Sequence, residues 1–389
     1  MKKVGFFLLV LLHTVLLVVL SLLWLNFSFT YDNESTIISA VSIAKTVLFK
    51  IEAKPSKNDF LLINVSYQKT LIPKLDHYGF EIGNEAITDR VSLAALFEKT
   101  SSFNNHRYLV CDIFLDQPSP ADSVLLHHVR RTKNILFPYH RQDGKFLRPI
   151  IPIPQALSDY DSDFGSFLKY SYLQYDTCQT IALKMYLDLH RGIYKKSGWF
   201  YKKNGRLVLN SFILEFPIRQ YDIFREDTVG YNSIHLTNFL SLPDPLMEEM
   251  LKNKIVVIGD FLETDLHQTI YGANAGPLIH LNAYLNLREN KNMLTPWFFI
   301  YIFSAFYVFS FFLFKKNKVS TLKWIRKIQS SKLGGFLFDY LKYALFLLLM
   351  SITSYLIFGI HLNILIISLY FSIAEYLIEY YYKNVKQIS

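Results

Sequence analysis

The sequence predicts an α/β extracytoplasmic domain, with a mixed, mostly parallel sheet and helices on both faces, together with four transmembrane helices. Three observations carry the prediction. Hydrophobic residues make up 51% of the 389 positions, and much of that mass gathers in long runs at the two ends of the chain. Between those runs, short apolar β-branched stretches alternate with segments of helical periodicity, the pattern of strand-helix-strand units. The strongest of the short stretches, Ile255-Val256-Val257-Ile258, is apolar without alternation, which suits a strand covered on both faces.

At the amino end, Val4–Leu25 is broken only by Gly5, His13, Thr14 and Ser21. It is long enough to cross a hydrocarbon core of about 30 Å. Lys2 and Lys3 precede it and no small-residue cleavage pattern follows, so it reads as an uncleaved signal anchor, with a cleaved signal peptide as the alternative. Three more spans are expected near 297–314, 343–360 and 362–380, the last two as a tight hairpin. Basic residues from Lys315 to Lys332 crowd the loop between the second and third spans, and Lys383 and Lys386 follow the fourth. With Lys2 and Lys3 they place both termini and that loop in the cytoplasm of a bacterial inner membrane, and the domain outside. The expected division is 1–27 as anchor, 28–295 as the external domain and 296–389 as three spans with a short tail.

Charge distribution removes one class of partner. Residues 1–27 and 296–389 hold twelve of the 41 Lys and Arg residues, against Asp339, Glu375 and Glu379, which accounts for the whole formal charge of +9. The external region is neutral, so the basic character reports topology and implies no nucleic acid. Cys111 and Cys178 both fall in the external region. Each lies in an expected regular element, where a small buried thiol is the plain reading and a disulfide the alternative.

Along the external domain, Ile37, Val41, Ala44 and Leu48 recur at helical spacing and predict a helix over 35–49. Phe60–Val65 reads as the first strand, a loop carries His77, Gly79 and Gly83, and Val91–Lys99 is helical. Tyr108–Leu115 is a second buried strand containing Asp112, an expensive residue there unless it is paired or at the strand end. Asp122–Arg131 is a helix, 134–138 a third strand, and Gln142–Leu157 a proline-rich surface excursion. Thr177–His190 is helical, 194–206 a short hairpin, Leu207–Phe216 a strand and Asp244–Leu251 a helix. After Ile258, Gly259 ends the strand, and Asp260, Glu263, Asp265, His267 and Thr269 occupy a polar loop where α/β sheets place ligands. Gly276-Pro277 then opens a helix with Leu278, Leu281 and Leu285 on its apolar face.

Catalytic signatures are scarce. The chain holds no nucleophile elbow, phosphate loop, dinucleotide fingerprint or zincin motif. Asp260, Asp265, His267 and His280 offer ligand types suited to zinc or manganese, but at no closed-site spacing, so no metal and no cofactor is expected. In the spans, Glu375 and Glu379 sit near an interface and read as snorkelling residues, while His13 is a neutral residue suited to bonding between helices.

The stretch IVVIGDFLETDLHQTIYGANAGPLIHLNAYLNL resembles the carboxyl-terminal signature of class-two CHASE (CHASE-two) extracytoplasmic sensor domains. The matching positions are Ile258, Gly259, Asp265, Thr269, Gly276, His280, Asn282 and Ala283. YLVCDIFLDQPSPAD is similar to the family's strand with an internal aspartate, here Asp112, and a second acid, Asp122; Thr88-Asp89-Arg90 resembles the arginine before its first domain helix. The likeness spans about 35–290, and one span before the domain with three after it is also the family's layout. The resemblance implies a receptor that binds an external ligand and passes its state inward. A fused output domain usually follows in that family; here nine residues follow Tyr380, so the expectation is a standalone sensor with a separate cytoplasmic or membrane partner, in a possible homo-oligomer.

The expected function is therefore non-catalytic sensing, with Asp112, Asp260, Asp265, His267 and Thr269 as the polar wall of a ligand site. The alternatives are a membrane-anchored envelope enzyme using Asp265 and His267 as acid and base, and a structural subunit of an envelope complex.

Overall fold

The computed structural model describes residues 3–26, 32–49, 54–160, 162–163, 166–167, 169–223, 230–262, 264–315, 332–362, 367–371, 373–374 and 376–377. The chain forms two compact units. One comprises Ser42–Tyr194 and Leu214–Asn290, and the other Met1–Val41, Lys195–Ile213 and Lys291–Ser389.

The first unit is α/β. Besides short strands between 162 and 179, its strands are β1 (Phe60–Asn64), β2 (Lys69–Leu75), β3 (Glu81–Thr88), β4 (Tyr108–Asp112), β5 (Ile135–Gln142), β6 (Lys145–Leu147), β7 (Gln155–Leu157), β8 (Ser233–His235), β9 (Ile255–Gly259), β10 (Leu266–Thr269) and β11 (Gly272–Ala275). Six of them, in the order β8-β1-β9-β4-β5-β7, pair in parallel, and β6 runs antiparallel to the far half of β5. Every residue of β9 is buried, as expected for an unalternated apolar run between two neighbours.

Helices cover both faces. The labels are α1 (Arg90–Phe103), α2 (Asp122–Arg131), α3 (Ile181–His190), α4 (Leu236–Leu240), α5 (Asp244–Leu251) and α6 (Gly276–Arg288). On one face Leu61, Ile63, Leu109, Cys111, Val256 and Ile258 share a core with residues such as Leu93 and Phe97 of α1, Leu125 of α2, Phe239 of α4 and Met247 of α5. Each such side chain contributes about 1.5–3 kcal/mol through burial. On the other face α6 packs on β9 and α3, and α3 reaches β5 and β7. Successive side chains of a strand point to opposite faces, so Asp112 turns away from Cys111 and toward the α6 side.

Local chemistry sets the boundaries. Asp89 caps α1 by accepting from the backbone N–H groups of Val91 and Ser92 at 3.1 and 3.0 Å. Pro277 lies in the first turn of α6, where its missing N–H costs nothing, and every residue from Gly276 to Leu287 is buried. Gly259 lets sheet and helix approach closely, since a Cβ there would lie 2.4 Å from Pro277 Cγ.

Several expectations need correction. The loop expected after β1 is the β2/β3 hairpin, turned at Asp76, whose side chain accepts from the N–H groups of Tyr78 and Phe80, and at Gly79 with φ of +87°. The strand expected over 108–115 stops at Asp112, the third strand runs on to Gln142, and β7 of the expected surface excursion extends the sheet. Helix α3 starts at Ile181, and Cys178 belongs to a short strand before it. Residues 207–216 are interrupted between Val208 and Ser211. Both cysteines are free thiols, Cys111 buried and Cys178 half-buried.

In the second unit, two helices among the described residues are long and apolar enough to cross a membrane, Val4–Leu25 and Pro296–Lys315, against the four spans expected. The third expected span is a helix, Lys332–Phe358, whose apolar part Ala344–Phe358 is too short for the same criterion. The fourth is helical at 367–371, and Glu375, Glu379 and the basic residues of 316–331 lie outside the described residues. His13 joins three elements of this unit: its Nδ1 lies 2.8 Å from Ser310 Oγ and its Nε2 3.0 Å from Tyr370 Oη.

Candidate functional site

The parallel strands bring their carboxyl ends into one row. His235, Asn64, Gly259 and Asp112 are register partners across β8, β1, β9 and β4. Above the Asp112 end of that row lies a cavity of about 670 Å³, a size ordinary for a small-molecule site. Asp112, Asp260, Asp265 and His267 all line it, together with Ser158, Tyr160 and His280.

Asp112 ends β4 with a side chain only 7% exposed. Its Oδ1 accepts a long 3.4 Å bond from Ser158 Oγ, and Oδ2 lies 3.8 Å from His280 Nε2, beyond hydrogen-bond reach. Burial, and then the neighbouring Asp265 carboxylate, push the Asp112 pKa well above the usual carboxylate range. His280 rises from α6 and is held from both sides, with Nε2 at 2.8 Å from Ser158 Oγ and Nδ1 at 3.1 Å from Tyr170 Oη. Burial, and then His140 and His267, bring its pKa down to about 3, so it is neutral at ordinary pH. One proton arrangement serves every group: Tyr170 donates to Nδ1, Nε2–H to Ser158, and Ser158 to Asp112.

Asp265 and His267 lie on the β10/β11 hairpin and meet at 2.7 Å, Oδ1 to Nε2. The Asp265 backbone carbonyl accepts from the N–H of Gly276, and its carboxylate lies so close that a Cβ on Gly276 would stand 2.2 Å from Oδ2. Tyr160 packs edge-on to His267 and His280 with centroids 5.0 and 5.8 Å away, and burial is the first cause of its raised pKa. His140 and the backbone N–H of Arg141 hold Asp159 at 2.8 and 2.6 Å.

Asp260 has a different task. Its carboxylate accepts from Ser66 Oγ and Thr264 Oγ1 at 2.6 Å each and from the N–H of Leu262 at 3.1 Å, so it fixes the loop that leaves β9. Thr269 is further off, and among the described residues it does not line the cavity. Its hydroxyl donates to the Gly272 carbonyl at 2.8 Å and accepts from the N–H of Tyr271, closing the hairpin turn. Of the five residues expected to form the wall, the fold therefore brings four to the cavity and leaves Thr269 in a turn. The loop expected over 260–269 is itself partly this hairpin. Ser158, Tyr160, Tyr170, His140 and Asp159 were not among the expected site residues.

Ser158 and His280 are hydrogen-bonded as a nucleophile and base would be, but an imidazole with a pKa near 3 is a poor proton acceptor at neutral pH. Among the described residues no three His, Cys, Asp or Glu side chains gather as a metal site. Comparisons with protein-family models, curated proteins and solved structures found no match to this chain.

Proposed function

We propose that the chain is a membrane-anchored sensor resembling the CHASE-two proteins, in which the α/β unit binds an external ligand and membrane helices pass the bound state to a separate partner. The observation that carries this reading is the cavity at the carboxyl ends of the parallel strands, where ligands of open α/β sheets are held. A buried Asp112 beside a second carboxylate supports it, because a strongly perturbed group in a cleft is a candidate for a functional site. The apolar helices Val4–Leu25 and Pro296–Lys315 support the anchoring, and the basic residues between 315 and 332 support four spans with cytoplasmic termini and an external domain. Signalling of this kind requires the ligand to bind two states with different affinity.

The test is quantitative co-purification from membranes, comparing the wild type with Asp112→Asn/Asp265→Asn and with a chain whose residues 315–332 are scrambled. The reading expects a partner whose recovery changes at least twofold in both variants. Identical recovery in all three, with unchanged thermal unfolding, overturns it.

A second reading, an envelope enzyme with Asp265 and His267 as acid and base, draws on their 2.7 Å contact at the cavity wall. It requires turnover that a folded His267→Ala chain loses.

A further inference from the structure

The charges on the cavity wall are unequal. Six carboxyl groups face it against two fixed cations, Lys69 and Arg141. Lys69 lies 3.7 Å from Asp260, and the Arg141 guanidinium stacks 3.7 Å above the Tyr175 ring, so each cation is already engaged. Asp159 and Asp260 are likewise held, by His140 and by the hydroxyls of Ser66 and Thr264. Asp112 differs from them. Its side chain is more than nine-tenths buried, it lines the cavity, and its Oδ2 receives no hydrogen bond among the described residues. A neutral His280 at 3.8 Å does not supply the missing charge.

We infer that this cavity takes a small organic cation, whose ammonium group sits between the Asp112 and Asp265 carboxylates against the ring of Tyr160. The inference rests on the sensor reading and names its ligand class. Without a cation, burial and Asp265 keep Asp112 protonated; an ammonium group lets it ionise and pairs with it and with Asp265, and a phenol face adds a cation–π contact. The volume of about 670 Å³ is far larger than a bare ion needs and suits an organic molecule.

Such binding is linked to protons. The groups facing Asp112 are Asp265 of the β10/β11 hairpin, His280 of α6, Ser158 and Tyr160 beyond β7, and Tyr170, with His267 and His140 around His280. Because Asp112 retains its proton to unusually high pH, an ammonium ligand displaces that proton, and its affinity rises as the pH is raised.

The experiment is titration calorimetry and thermal unfolding of the full chain in detergent with 1,4-diaminobutane, ethanolamine and tetramethylammonium. Butane-1,4-diol, acetate and calcium chloride are the uncharged, anionic and metal controls. The expected result is saturable binding of at least one ammonium compound, with proton release, affinity rising from pH 5.5 to pH 8, and at least a tenfold loss in Asp112→Asn. That variant is nearly isosteric with the protonated carboxyl group, so it is expected to fold, and its melting curve without ligand verifies this. No binding by any ammonium compound, or equal binding by Asp112→Asn, overturns the inference. Binding of the diol, acetate or calcium that Asp112→Asn abolishes also overturns the cationic class, while leaving the sensor reading intact. The sensor reading fails separately, on the co-purification result.

Discussion

Asp112 Oδ2 lies 3.8 Å from His280 Nε2, and the Ser158 hydroxyl is within reach of both side chains. The pair couples the pH dependence of stability in opposite senses. The native state holds the Asp112 proton above the ordinary carboxylate value of 3.8, so stability from this group is present below that pH and falls as pH rises toward the native pKa. His280 behaves the other way. Its native pKa of about 3 lies below 6.5, so its contribution is present above pH 6.5 and is lost as the pH falls toward 3. From pH 3.8 up to the native Asp112 pKa, and below 6.5, the two slopes oppose, each limited to about 1.4 kcal/mol per pH unit. Thermal unfolding at stepped pH is expected to be flat over this window for the wild type, to weaken on acidification for Asp112→Asn and to strengthen on acidification for His280→Gln. Parallel profiles in all three chains contradict the coupling.

Gly259 and Gly276 are required for space. A Cβ at Gly259 meets Pro277 Cγ at 2.4 Å and wedges β9 from α6, while one at Gly276 meets the Asp265 carboxylate at 2.2 Å. Alanine at either position is expected to destabilise by about 1–3 kcal/mol, the usual cost of overpacking. The two differ in effect on the site. Gly276→Ala displaces Asp265 from His267 and is expected to reduce ligand binding beyond the stability loss, whereas Gly259→Ala lowers the melting temperature with a smaller binding defect in the folded fraction.

Asn282 and Asn286 stand one helical turn apart on α6 and use their side-chain amides as a strand would use its backbone. Asn282 donates to the Ile218 carbonyl at 2.7 Å and accepts from its N–H at 3.1 Å, and Asn286 does the same with Glu215 at 2.7 and 3.3 Å. Replacing Asn282 by leucine leaves the N–H and carbonyl of Ile218 buried without these partners. The expected loss is about 2–4 kcal/mol in denaturant unfolding, from a cost of roughly 1–3 kcal/mol per unsatisfied group. Asn282→Asp keeps the acceptor, loses the donor and adds a buried charge, so it is expected to be at least as damaging.

The strongest local patterns were the ones legible in the sequence. Ile255–Ile258 announces a strand buried on both faces because four β-branched residues without alternation suit little else, and Gly276-Pro277 announces the start of α6. Asp112 was visible as a charge that an apolar strand cannot bury cheaply, and the structure places it at the strand end. The β2/β3 hairpin was hidden because its residues are mostly exposed: Leu71, Phe80 and Ile82 are each at least 60% accessible, so no inward face marks the strands. Gln155–Leu157 is only three residues long and follows prolines, which hid both β7 and the Ser158, Asp159 and Tyr160 that leave its end. His280 stood within the family likeness and among the metal-type ligands, but its partners Ser158 and Tyr170 lie more than 100 positions away and only folding brings them together.

Arg90 and Asp122 form a buried pair that tests how the first half of the sheet is braced. Arg90 begins α1 with its side chain 1% exposed, gives Nη1–H to the Thr88 carbonyl at 3.2 Å and places Nε 3.5 Å from Asp122 Oδ1 at the start of α2. Asp122 in turn accepts from the N–H of Ser119 at 2.7 Å and shapes the turn before α2. Arg90→Met preserves much of the packed volume but leaves the half-hidden carboxylate without its cation, so a loss of about 3–5 kcal/mol is expected. Asp122→Asn on that background removes the uncompensated charge while keeping an acceptor for Ser119. The double variant is therefore expected to recover at least half of the loss. Denaturant unfolding of the four chains measures the coupling, and strict additivity of the two substitutions would show that the guanidinium acts through packing alone.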